Sequence, residues 1–105
     1  MKFSNLSNHN RGWFIGDFDS SLLKTNLFEV ALIKCPMGIH AKHHHKIATE
    51  YNVLVEGKLK IGDIILGKND IYIIEPGEST EQEFLENSLV LCVKTPSIPS
   101  DKYLD

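Results

Sequence analysis

Short apolar runs, each stopped by glycine, proline or a polar turn, recur from Phe28 to Val93, and nowhere is there a sustained helical period. Phe28–Lys34 is rich in strand formers and ends at Pro36 and Gly38. Thr49–Val55 follows and is broken by Gly57. Leu59–Ile61 and Ile64–Leu66 flank the dipeptide Gly62-Asp63, the pattern of a tight hairpin. Gly67–Asp70 is a further turn. Ile71–Ile74 is stopped by Pro76-Gly77, and Leu89–Val93 is the last strand-like run. Several short strands at close spacing predict an all-β sandwich or barrel. A chain of 105 residues suits one domain around one core.

Two stretches carry less pattern. Residues 1–27 are polar except for Trp13-Phe14-Ile15 and Leu22-Leu23, and read as an N-terminal arm packing on the barrel or on a partner subunit. Within it, Asp19-Ser20-Ser21 has the composition of a cap for a short helical turn. Residues 28–105 are then the barrel, with an extended tail from Pro96 running along its surface. Glu78–Glu86 is acidic, with Phe84 and Leu85 inside it, and fits a loop or a strand equally. Cys35 and Cys92 lie in apolar runs and read as small buried hydrophobes with free thiols.

A net charge of −3 gives no basic footprint, which argues against nucleic acid as a partner. No apolar stretch approaches the roughly 20 residues that span a bilayer. The first residues lack the apolar core of a signal peptide, so the cytoplasm is the expected location and no membrane partner is expected.

The chemistry is concentrated in His43-His44-His45. A strand alternates its side chains, so His43 and His45 share one face and His44 takes the other. Glu50 opens the next apolar run, where a tight bend brings it back beside them. Two imidazoles and a carboxylate on paired strands make a facial metal site with open positions. A duller reading pairs Glu50 with Lys42 or Lys46 at the surface. In Thr49–Val55, Glu50, Asn52 and Leu54 share one face, and Tyr51, Val53 and Val55 the other. If the first face lines a polar cavity, the second is an apolar stripe on the outside, to be covered by the N-terminal segment, by a second subunit, or by both. A homodimer is therefore expected.

These residues resemble the first motif of the cupin superfamily: Gly38, the His-x-His of His43 and His45, then Glu50 and Gly57, with the Gly38-to-His43 spacing one residue short. Asp70–Gly77 is similar to the first half of the second motif. The histidine of its second half falls at Thr80, a poor metal ligand. The resemblance spans about residues 28–93. It implies a double-stranded β-helix, or jelly-roll, barrel. It also implies a divalent metal ion (zinc, iron, manganese or nickel) held by His43, His45 and Glu50, with His40, Glu78 or Glu81 as stand-ins for the missing ligand. His40, Asn52 and Glu78 are the expected substrate-binding residues, and the expected substrate is a small polar metabolite. The implied activities are sugar-type isomerisation or epimerisation, or oxygenation. The alternative is a cupin module that binds a small ligand without turning it over.

Overall fold

The β-branched and aromatic runs form strands throughout the computed structural model, which describes residues 1–105. Eleven strands follow two short 3-10 turns, Leu6–Asn8 and Asn10–Gly12: β1 Trp13–Gly16, β2 Leu23–Lys24, β3 Glu29–Cys35, β4 Gly38–His44, β5 Thr49–Glu56, β6 Leu59–Ile61, β7 Ile64–Leu66, β8 Ile71–Ile74, β9 Thr80–Phe84, β10 Ser88–Thr95 and β11 Tyr103–Leu104. They make a six-stranded sheet, ordered β2-β1-β3-β10-β5-β8, and a five-stranded sheet, ordered β11-β4-β9-β6-β7. All pairings are antiparallel except β1 with β2. No helix is long and apolar enough to cross a membrane.

The expected hairpin is β6–β7, where Ile61 pairs with Ile64 across Gly62-Asp63. Gly62 has φ of +59°, which a side chain would resist. The undecided stretch Glu78–Glu86 contains β9, a strand whose inward residue Phe84 is buried. Cys35 and Cys92 are both free and buried, and burial pushes the Cys35 thiol up to about 11.

Two expectations are corrected. No helix follows Asp19-Ser20-Ser21. The hydroxyl of Ser21 instead accepts the N–H groups of Gly16 and Leu23, because Leu23–Lys24 is extended and pairs with β1. Nor does the tail simply run over the surface. Ser97 and Asp101 are 2% exposed, and Tyr103–Leu104 joins the five-stranded sheet beside β4.

The interior changes character along the strands. Leu54, Leu59, Phe84, Val90 and Cys35 form the apolar core at one end. Stepping by two along the inner face, β5 runs from Leu54 to Asn52 to Glu50, and β10 from Val90 to Cys92 to Lys94, all buried or nearly so. The apolar end supplies the packing that lets the other end be polar.

The motif glycine Gly57 closes β5 with φ of +108°, and a Cβ there would lie 2.0 Å from Ser88 Oγ and 2.7 Å from Ser88 Cα. Gly57→Ala is expected to lower stability by about 1–3 kcal/mol from backbone strain, with the clash added. A denaturant titration that leaves the midpoint unchanged would contradict this.

Candidate metal centre

Parity and one bend assemble the centre. β4 carries His43 on its inner face, and the chain turns through Lys46–Ala48 before β5 begins. His43, His45 and Glu50 meet with one ligand atom each, all within 4.8 Å of one another. His45 is 3% exposed, and its Nε2 lies 2.7 Å from Glu50 Oε2. The rings of His43 and His45 sit edge to face at 5.3 Å. The Oε1 of Glu50 faces Asn52 Nδ2 at 3.4 Å and the Cys92 thiol at 3.6 Å.

The ring nitrogens on the far side are occupied. His43 Nδ1 is 3.3 Å from the carbonyl of Ala41, and His45 Nδ1 donates to the carbonyl of Asp101. Carbonyls and carboxylates only accept, so His43 carries a proton on Nδ1 with Nε2 left as a ligand atom, whereas His45 donates from Nδ1 to Asp101 and from Nε2 to Glu50, and a bound ion would take the place of that Nε2 proton. Metal-bound histidines are oriented by this kind of outer hydrogen bond. Two imidazole nitrogens and a carboxylate oxygen at this separation suit a divalent ion with ligand distances of about 2.0–2.2 Å. The donor set fits the metal that the sequence motif implies.

The electrostatics follow from these partners. The hydrogen bond that His45 donates to Glu50 raises the His45 pKa against the effect of burial. Burial pushes the Glu50 carboxyl up, but the hydrogen bond and charge of His45, with the charges of Lys94 and His43, outweigh it and hold the group low. Burial lowers His43, and the charge of Lys102 adds to the effect. Tyr72 is shifted upward by burial and remains a neutral donor.

The other candidate residues divide. Asn52, 2% exposed, sits beside Glu50, while His40 lines the same cavity with its ring 4.7 Å from that of Phe84. Glu78 is not brought there. It is exposed, and its carboxylate accepts the N–H of Glu75 at 2.8 Å within a turn, because Pro76-Gly77 bends the chain away before β9. Glu81 is also exposed. Thr80 is the cross-strand partner of His43, so the residue in place of the motif's last histidine does stand beside the cluster. His44 is outside the cluster. It stacks on Tyr103 at 5.4 Å and pairs with Asp105 at 2.6 Å, which ties down the tail.

Sequence reasoning missed two features. Asp101 accepts the N–H groups of Lys46, Ile47 and Ala48 at 2.9–3.0 Å, and so holds the bend between His45 and Glu50. Lys94, the cross-strand partner of Glu50, makes a buried ion pair with Glu29 at 2.8 Å, and Ser97 donates to the same carboxylate. Period-two alternation from Val90 through Cys92 already turns Lys94 inward. Glu29→Ala strips the buried ammonium of its partner and is expected to cost about 3 kcal/mol, the low end for such a break. Unchanged unfolding free energy would count against a buried pair.

The cavity beyond the cluster has a volume of about 860 Å³ and is also lined by Trp13, Tyr72, Gln82 and Lys102. Small-molecule pockets span about 300–1,000 Å³, so a metabolite has room beside a metal.

No family model matches the chain, and no curated protein matches it in sequence. Solved structures do. A double-stranded β-helix protein from Klebsiella pneumoniae is 19% identical, with a TM-score of 0.69 over 98% of this chain and 90% of its own. KdgF from Halomonas sp. is 20% identical, with a TM-score of 0.64 over 70% and 74%. A sugar phosphate isomerase of the cupin superfamily from Silicibacter pomeroyi is 20% identical, with a TM-score of 0.59 over 75% of this chain and 57% of its own. At these identities the likeness is one of fold. With the two facing sheets, it shows the fold to be a double-stranded β-helix like that of these cupin structures.

Proposed function

We propose that this chain is a metal-dependent cupin enzyme acting on a small polar metabolite, with sugar-type isomerisation or epimerisation as the preferred chemistry. The carrying observation is the convergence of His43, His45 and Glu50 at the wall of a cavity large enough for such a molecule. A divalent ion bound there supplies Lewis acidity toward a carbonyl or hydroxyl oxygen. The protein's own groups do the rest. The amides of Asn52 and Gln82 offer donors and acceptors to a hydroxyl-rich ligand, and the Tyr72 hydroxyl offers a neutral donor. The sugar phosphate isomerase among the structural neighbours supports the preference by fold alone.

The test begins with metal content after purification without nickel chromatography. About one ion per chain, lost in Glu50→Ala, is expected. Iron would redirect the reading toward oxygenation, and zinc, manganese or nickel would support isomerase chemistry. The loaded protein is then tested against hydroxyl- and carbonyl-bearing sugars, by melting shift for binding and by product analysis for turnover. No metal at saturating supply would sink the proposal.

A second reading has its own observation. Thr80 stands opposite His43 where the motif supplies a histidine, so one side of the cluster lacks a ligand. That favours a module that holds metal and ligand without catalysis. Ligand-induced stabilisation with no turnover would select it.

A further inference from the structure

The cavity beside the cluster is charged against the sign of the chain. The chain carries 11 lysines and arginines and 14 acidic residues. Four of those cations, Arg11, Lys34, Lys94 and Lys102, line the cavity, and the only carboxylates with them are Glu29 and Glu50. Both carboxylates are engaged, Glu29 by Lys94 at 2.8 Å and Glu50 by His45 at 2.7 Å. Arg11, Lys34 and Lys102 are exposed on the wall and have no ion-pair partner. Lys102 stands near enough to His43 for its charge to act on that ring. A positive cleft in a net-negative protein concentrates anions.

The N-terminal arm supplies two further observations. Arg11 is the one arginine of the chain, and its backbone is left-handed, with φ of 51° and ψ of 26°. A residue with a Cβ resists that conformation. Gly12 holds it there, because its own φ is +83° and it lies so close to β3 that a Cβ would be 2.0 Å from the Leu32 carbonyl oxygen. Backbone strain of this kind gathers where a ligand is gripped. His9 closes the same turn by accepting the N–H of Gly12, and its ring is 9% exposed on the cavity wall. Its Nε2 faces Ser4 Oγ at 3.0 Å, but its Nδ1 is buried without a partner.

We propose that the arm forms an anion-binding wall of this cavity, in which Arg11 grips a carboxylate or phosphate carried by the substrate. The proposal rests on the cavity being a metabolite site, and it narrows that metabolite to a sugar acid or a sugar phosphate. A guanidinium fork matches two oxygens of either group with parallel hydrogen bonds. Lys34 and Lys102 add positive charge without fixing geometry. A neutral sugar leaves all three cations unanswered, so the preference is a difference in affinity built into the wall.

Glucose, glucuronate and glucose 6-phosphate differ in one group and make matched probes. Calorimetric titration and melting shift on the full chain, with and without added metal, read their affinities. At least one acidic sugar is expected to bind tenfold or more tighter than glucose, with the preference shrinking as salt is raised. The tighter of the two tells carboxylate from phosphate. Arg11→Asn should cut the preference at least tenfold and leave glucose affinity and metal content unchanged. Asparagine accepts a left-handed backbone readily, so this variant should melt at or above the parent's temperature, whereas loss of a merely structural arginine would lower it. Lys102→Gln should weaken the acidic sugars several-fold, which keeps the test decisive if Arg11→Asn does not fold. Lys68→Gln, at an exposed pair with Glu56, should change nothing. An Arg11-dependent preference in a chain that takes up no metal would support this inference while the enzyme reading fails. Equal affinity for glucose, no acidic probe bound at millimolar concentration, or a preference untouched by Arg11→Asn would overturn it.

Discussion

His45→Ala is expected to abolish metal binding, whereas His44→Ala should leave it within about tenfold of the parent. The two residues are neighbours of the same type in the same stretch, so composition and local charge change equally. They differ in direction. His45 turns into the barrel with Nε2 at 2.7 Å from Glu50, and His44 turns out onto Tyr103. Removing an outer partner of a metal ligand costs about 10–100-fold in affinity, and removing a ligand from a set of three should exceed that. Calorimetric titration of zinc or manganese into the metal-free proteins reads the difference directly. His44→Ala should also lower the melting temperature slightly, because it releases Asp105 and the tail. Equal effects on metal binding would refute the assignment of the centre.

Asp101→Ala is the second large effect. The carboxylate accepts three backbone N–H groups from the bend between two of the proposed ligands, and the carbonyl of Asp101 receives His45 Nδ1. Hydrogen bonds to a charged acceptor contribute about 1.5–3 kcal/mol each, and some freed N–H groups will find water, so a loss of about 4 kcal/mol is expected. Metal affinity should fall about 10–100-fold as well, because the bend that aims His45 loses its anchor. Asp101→Asn keeps one good acceptor and should recover part of both losses. The pH dependence has a definite sign. Burial pushes the Asp101 carboxyl up, but the three N–H groups outweigh it and hold its folded value below the ordinary one. Its contribution is therefore complete above an unfolded value of about 3.9, and is lost as pH falls through the lower folded value. The stability gap between parent and Asp101→Ala should narrow toward strong acid. A gap constant down to pH 2 would mean the carboxylate charge contributes nothing.

The strands with long alternating runs were legible in the sequence. Thr49–Val55 shows its two faces residue by residue, and the structure keeps that division, with Asn52 and Leu54 buried and Tyr51 exposed. The grouping of His43, His45 and Glu50 was legible for the same reason, since parity and one bend suffice. Shorter elements were not. β1 and β2 have four and two residues, too few for a period, and depend on pairing with β3 and with each other. β9 is mostly polar, and only its ladder to β4 and β6 makes Thr80–Phe84 a strand. Glu78 carries a suitable carboxylate at a suitable spacing, but the direction of a turn is not encoded in spacing. Asp101 gave no local signal at all, because everything it holds lies more than fifty residues earlier.

That last separation has a consequence for how the protein is made. The three proposed ligands are all synthesised by residue 50, yet the bend between them is fastened by residue 101, and Lys94 reaches its place beside Glu50 only when β10 pairs with β5. A nascent chain that has emerged as far as β9 holds every donor atom and no centre to put them in. On the proposed function, metal capture would be deferred until these strands have paired. An ion encountered earlier would meet only the separate histidines and could leave again, so the cation retained would be chosen by the finished barrel rather than by whichever arrives first.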